Sequence, residues 1–277
     1  MKPAPFSYAR PETLLEATKL LQQGDGANMA VAGGQSLLIL MGLRITIVDT
    51  LVDISRLPEL ARVESTANGV FLGAATTHAE IEDGKVPDPS LGLMPRVAGN
   101  IAYRAIRNMG TIGGSMALAD PSADWPACLI ALGAEVVIAG ETGQRREAAS
   151  SFLRGPYSTS LEPGEIILGF DIPRLGTPKW GTAKVARKSG AFADSMVVFV
   201  DACDGNPPRV ALTGTSSHAR LLPRAAAHLQ TTSAVDEEKL RDAVAADLAE
   251  MEPDADAYQV RCHISTVLRA VKEARTR

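Results

Sequence analysis

Cysteine is scarce in this chain. Cys128, Cys203 and Cys262 are the only three in 277 residues, they lie far apart, and no CxxC pair exists. That excludes a self-contained iron–sulfur cluster or zinc site. So sparse and odd a count fits a reducing cytoplasm and not a disulfide scaffold. The four histidines, His78, His218, His228 and His263, have no metal-ligand spacing, so each reads as a surface or satisfied core residue and no metal site is expected. Long apolar runs are missing too. The most apolar stretch, Leu37 to Leu43, stops at Arg44, and Met1 to Ser7 lacks the apolar core of a signal peptide. The first is far too short to span a bilayer. A formal net charge of −4 gives no nucleic-acid surface. GxGxxG, GxxxxGK[ST], HExxH and GxSxG are all absent. A Rossmann dinucleotide site, a P-loop, a zincin helix and a nucleophile elbow are therefore disfavoured.

What the chain does have is two glycine-glycine turns. One is Val31-Ala32-Gly33-Gly34-Gln35-Ser36-Leu37, the other Gly110-Thr111-Ile112-Gly113-Gly114-Ser115. Glycine permits positive φ and close approach of backbone to a ligand. Successive N–H groups in such turns form an anion-binding concavity, to which a following helix adds donors and dipole. Two such cradles suit a diphosphate. Without a nucleophile-elbow context, Ser36 and Ser115 read as hydrogen-bond donors to phosphate and not as nucleophiles.

Pattern and length predict an α+β chain. The spacing of Leu14, Leu15, Ala17, Leu20 and Leu21 predicts a helix over 11–23, followed by a strand over 28–32. A helix capped by Ser36 and a strand over 45–54 complete a βαβ-like start. Strands are expected at 70–74, 135–138 and 165–170, and helices at 76–83, across most of 91–105, and at 121–132. The second glycine turn sits in a loop over 107–120. A linker at 175–178 leads to strands at 181–187, 196–202 and 209–213, then to helices at 223–230, 235–251 and 256–273. In the last helix Val260, Ile264, Val267, Leu268 and Val271 form one apolar stripe that reads as core. Asp120 and Asp124 follow the second turn, and either a helix-capping role or a bond to a ligand suits them. Lys184, Arg187 and Lys188 form a basic trio that neutralises a ligand or is simply a solvated face.

These residues carry a family resemblance. Ala32-Gly33-Gly34-Gln35-Ser36-Leu37-Leu38 resembles the AGGxSL motif of the FAD-binding medium subunits of molybdenum hydroxylases. Ile106-Arg107-Asn108-Met109-Gly110-Thr111-Ile112-Gly113-Gly114-Ser115 resembles their IRNxGTIGG motif, with the ADPxxD stretch downstream. The family includes carbon monoxide dehydrogenase, quinoline oxidoreductase, nicotine dehydrogenase and xanthine dehydrogenase. The resemblance extends to Thr159 to Glu165, Pro223 to Ala225 and Tyr258 to Arg261. It implies a PCMH-type FAD-binding fold of two N-terminal α/β subdomains, about 1–56 and 57–176. A C-terminal domain over 177–277 follows, with a small antiparallel sheet and helices. It also implies FAD pyrophosphate loops at Ala32, Gly33, Gly34, Gln35, Ser36 and Leu37 and at Thr111, Ile112, Gly113, Gly114 and Ser115. Asp124 would lie on the adenosine side and Lys184 close to the flavin. Molybdopterin and 2Fe–2S clusters are implied on partner chains, a large and a small subunit, in a dimer of heterotrimers. The chain departs from the family at Tyr103, where histidine is frequent, and at Gly190-Ala191-Phe192-Ala193, where Gly-Asp-Phe-Ala is common. Two other readings stand beside this one. A regulatory subunit binding a nucleotide diphosphate would purify colourless, and a stand-alone flavin oxidoreductase would turn over without partners.

Overall fold

The computed structural model describes residues 2–24, 26–176, 179–201, 206–231 and 235–276. Cys203 and the second half of the expected linker, Thr177 and Pro178, lie outside the described residues. The chain begins with a parallel three-stranded sheet. Its strands β1 (Ser7–Ala9), β2 (Asn28–Val31) and β3 (Thr50–Asp53) lie in the order β1-β3-β2. The helices α1 (Leu14–Gln23) and α2 (Leu37–Gly42) make the crossovers. Thr13 caps α1 by accepting the Glu16 N–H. Ser36 precedes α2 but its side chain makes no capping bond, contrary to expectation. The strand expected over 45–54 shrinks to Thr50–Asp53, and Ile45 and Ile47 are exposed.

An antiparallel sheet follows, in the order β4-β5-β10-β6-β7. Its strands are β4 (Val63–Ser65), β5 (Gly69–Gly73), β6 (Glu135–Gly140), β7 (Gly143–Ala148) and β10 (Ile166–Pro173). Between β5 and β6 run α3 (His78–Glu82), α4 (Leu93–Gly99), α5 (Arg104–Arg107), α6 (Ile112–Leu118) and α7 (Asp124–Leu132). Thr77 and Glu80 form a capping box on α3. The helix expected across 91–105 is broken between α4 and α5, where Ala102 takes a positive φ of 44°. The expected loop over 107–120 instead contains α6. The helix expected from Pro121 starts three residues later, at Asp124, and Asp120 closes a turn by accepting the Ser122 N–H at 2.8 Å. The small elements α8 (Ala149–Phe152), β8 (Leu153–Gly155) and β9 (Ser158–Thr159) return the chain to β10.

The last sheet, β11 (Trp180–Val185), β12 (Ser195–Val200), β13 (Arg209–Thr213) and β14 (Arg220–Leu221), is antiparallel in chain order. The helices α9 (Pro223–Thr231), α10 (Glu237–Met251) and α11 (Ala257–Thr276) cover one of its faces. All six residues of β12 are buried. Val197 and Phe199 face the helices, while Met196, Val198 and Val200 join the main core around α7. Every residue of α7 is buried, as an all-round apolar helix requires. Arg209 of β13 donates to the carbonyls of Ala131 (2.6 Å) and Leu132 (3.2 Å), satisfying the helix's carboxyl end.

Asp247 of α10 has a fully buried carboxylate that accepts the N–H groups of Arg224 and Ala225 at 3.0–3.1 Å, capping α9 from outside. Asp247→Ala strands the buried Ala225 donor and the part-buried Arg224 donor and is expected to cost about 2 kcal/mol. Urea unfolding is the check; a midpoint equal to wild type would remove the capping role.

Candidate functional site

The two glycine turns, some eighty residues apart in sequence, meet. A Cβ on Gly33 would lie 2.0 Å from the Met109 carbonyl oxygen and 2.9 Å from the Gly110 Cα, so only glycine permits this approach. Gly34 takes a positive φ of 68°. The first turn leaves the carboxyl end of β2 and enters α2. Among the described residues, no acceptor faces the backbone N–H groups of Gly33, Gly34, Gln35 and Ser36. The Gln35 side chain donates to the Gly33 carbonyl at 2.9 Å, which helps to fix the turn. Ala32 and Leu37 flank it, half-buried. Four successive half-buried donors without partners are a cradle for an anion.

The second turn departs from the expectation of a matching backbone cradle. Ile112 donates to the Thr76 carbonyl (3.0 Å), Gly113 to Ala74 (2.9 Å) and Ser115 to Thr111 (3.1 Å). Gly114 donates to the Thr111 hydroxyl oxygen at 3.0 Å, making Thr111 the cap of α6. These N–H groups are spent within the protein. A Cβ on Gly113 would collide with Ala74 at 2.5 Å, so that glycine serves packing. The turn's remaining donors are the Thr111 N–H and the Thr111 and Ser115 hydroxyls. Gly114 is exposed and Ser115 half-buried, both on the outer side of the turn.

Residues not singled out in the sequence hold this turn. His78 donates its backbone N–H to the Gly110 carbonyl at 3.0 Å. Its Nδ1 accepts from Trp125 Nε1 at 3.0 Å, which leaves the ring proton on Nε2. Burial, with a smaller push from Arg107, lowers the His78 pKa to about 4, so the ring is neutral. A Cβ on Gly110 would sit 2.9 Å from His78 Nε2. Gly33, Gly110, His78 and Trp125 thus stack in sequence. Arg107 grips Glu82 with two bonds, at 2.8 and 2.9 Å, and donates to the carbonyls of Ile101 and Ala102. The bidentate fork fixes α5 against α3 and with it the entry to the turn.

Asp124 and Lys184, expected at opposite ends of a dinucleotide, are joined. Lys184 Nζ donates to both carboxylate oxygens, at 2.8 and 3.0 Å, and the side chains are 14% and 5% exposed. They therefore lie at one place in the fold. Burial raises the Asp124 pKa to about 6 against the pull of Lys184. Of the basic trio only Lys184 is turned inward, and the other two fit the solvated-face reading. Arg187 and Lys188 are exposed, and the Lys188 Nζ lies 5.7 Å from the centre of the Tyr103 ring.

Among the described residues, no helix is long and apolar enough to cross a membrane. The family described as the FAD binding domain in molybdopterin dehydrogenase matches residues 4–175. The chain is 37% identical over 206 residues to the glyceraldehyde dehydrogenase medium chain of Sulfolobus acidocaldarius, covering 74% of this chain and 73% of that one. It is 30% identical over 285 residues to the carbon monoxide dehydrogenase medium chain of Afipia carboxidovorans, covering 100% and 99%. A solved structure of carbon monoxide dehydrogenase from Hydrogenophaga pseudoflava, lacking the Mo-pyranopterin moiety, contains a similar chain. That chain superposes with a TM-score of 0.92 at 32% identity, over 99% of this chain and 98% of that one. The chain therefore belongs to the FAD-binding medium subunits of the molybdenum hydroxylase family, oxidoreductase subunits that act within multi-subunit enzymes.

Proposed function

We propose that this chain is the flavin relay of a molybdenum hydroxylase. Electrons released at molybdopterin on a large subunit would pass through 2Fe–2S clusters on a small subunit and leave for an external acceptor by way of FAD held here. FAD, when bound, supplies the redox chemistry, and the protein supplies binding and orientation. The reading is carried by the first turn: the unpaired N–H groups of Gly33 to Ser36 are donors of the kind a diphosphate needs. Gly34 supplies the bend, and Ala32 and Leu37 the walls. The second turn contributes hydroxyl donors from Thr111 and Ser115, while Ile112 and Gly113 anchor it and Gly114 keeps its outer side open. The Asp124–Lys184 pair belongs to the same site, because Asp124 precedes the Trp125 that backs the second turn through His78. We take residues 1–56 and 57–176 as the flavin-holding subdomains and 177–277 as the third unit. The assembly is read as a cytoplasmic dimer of heterotrimers.

Autonomy tests the relay. The isolated FAD-loaded chain should be reduced by dithionite yet stay oxidised in the presence of the complex's organic substrate. Adding the iron–sulfur and molybdopterin subunits should restore rapid reduction in an anaerobic stopped-flow trace. Bleaching of the lone chain by substrate would favour a self-sufficient flavoenzyme.

A further inference from the structure

One polar hydrogen beside the junction of the turns is unspent. His78 opens α3, and its main chain is fastened to the second turn. Its N–H donates to Gly110 and Ile112 donates back to Thr76, an antiparallel bridge between Thr77 and Thr111. Trp125 of α7, fully buried, fixes the ring from the other side by donating Nε1–H to Nδ1 at 3.0 Å. An indole nitrogen only donates, so Nδ1 carries no proton and Nε2 carries one. The ring is thus a neutral donor whose tautomer its neighbour sets. The residue is only 6% exposed, and among the described residues no acceptor meets Nε2–H. The Ile106 carbonyl, beside the same Gly110 position, already accepts from Met109 at 3.1 Å and from Gly110 at 2.7 Å. Leaving a buried donor unpaired costs free energy, and a native structure that keeps one calls for an acceptor.

Its position says what the acceptor is. A Cβ on Gly110 would sit 2.9 Å from Nε2, and a Cβ on Gly33 would sit 2.9 Å from the Gly110 Cα. The donor therefore stands where the turns meet, on the side of the second turn. There the main-chain N–H groups of Ile112, Gly113, Gly114 and Ser115 are already used. Arg107, the neighbouring cation, is committed to Glu82 through both arms of its fork. An anion seated on the free N–H groups of Gly33 to Ser36 would meet few other donors from this side. We infer that His78 is a further binding residue, its Nε2–H donating to the diphosphate of FAD and supplying what the spent main chain of the second turn does not. The inference rests on the reading of the turns as the FAD site.

Two substitutions in the full chain separate binding from packing. By bond count, asparagine places its Oδ1 where histidine has Nδ1, and glutamine places its Nε2 where histidine has Nε2. His78→Asn thus keeps the acceptor for Trp125 and loses the donor, whereas His78→Gln keeps the donor and strands the Trp125 N–H. His78→Asn should hold FAD roughly tenfold or more weaker than wild type, the effect of losing one bond to a charged group. His78→Gln should bind FAD more tightly than His78→Asn, although its flavin-free melting temperature should be lower than wild type by roughly 5 °C. A merely structural histidine gives the opposite order, with FAD affinity following flavin-free stability and glutamine the worse variant. That order overturns the inference. Should either variant fail to fold, proton NMR of the His78 imidazole N–H in the wild type decides. The resonance should move downfield on adding FAD and on adding inorganic pyrophosphate; no movement with either overturns the diphosphate as its acceptor. A wild-type chain that takes up no FAD refutes the flavin reading instead, and the pyrophosphate titration then still tests the donor.

Discussion

Lys184→Met should lower the melting temperature of the flavin-free chain by on the order of 10 °C at pH 8, and by much less at pH 5. The substitution leaves the Asp124 carboxylate buried without its cation, and breaking a buried pair costs about 3–5 kcal/mol. The pH dependence follows from the direction of the Asp124 shift. Its folded pKa, at about 6, lies above the unfolded value, so the group's contribution to stability is full below pH 4 and lost as pH rises through 6. Lys184 holds that pKa down by charge and by hydrogen bond. Without it the carboxyl stays protonated to higher pH, and the loss of stability continues further into the alkaline range. At pH 5 the variant's carboxyl is neutral and the penalty largely vanishes. Adding Asp124→Leu should recover most of the loss at pH 8. An equal deficit at both pH values would show that the lysine acts through packing and not through charge.

The second large effect concerns the contact between the turns. Gly33→Ala puts a methyl group on the Met109 carbonyl, where backbone and not a flexible side chain must give way. The turns separate, and donors aimed at one anion no longer converge. Loss of two charge-assisted bonds at about 1.5–3 kcal/mol each predicts FAD binding weakened roughly 100-fold or more. Gly42→Ala is the control: it lies in the adjoining helix with open space at its Cβ position and should bind FAD normally. Flavin-to-protein ratio and circular dichroism measure both. Full flavin retention by a folded Gly33→Ala chain would rule out convergence of the turns as the basis of binding.

The first cradle was legible because its signal is local: two glycines and a serine between a strand and a helix. The second turn looked the same in sequence but does something different. Its N–H groups go to Ala74 and Thr76, partners nearly forty residues away that no spacing announces. The break between α4 and α5 escaped for a similar reason. Gly99 ends α4, but the reversal itself is made at Ala102, which is held at positive φ by bonds to Arg107 and Gly190. Ile45 and Ile47 misled in the opposite direction. Their β-branched pattern reads as a buried strand, yet both point outward. The Asp124–Lys184 pair spans sixty residues, so sequence suggested the charges but not that they neutralise one another.

Helix α7 carries a consequence for how the chain can be divided. The family match ends at residue 175, yet the helix at the heart of that segment is walled on one side by Met196, Val198 and Ala211. Lys184 secures its amino end and Arg209 its carboxyl end, both from beyond that boundary. A recombinant fragment stopping at Gly176 would uncover one flank of this apolar helix, with an uncompensated acid at one tip and stranded carbonyls at the other. The family-matched segment is therefore expected not to fold alone, and chimaeras among medium subunits should exchange α7 together with the sheet that encloses it.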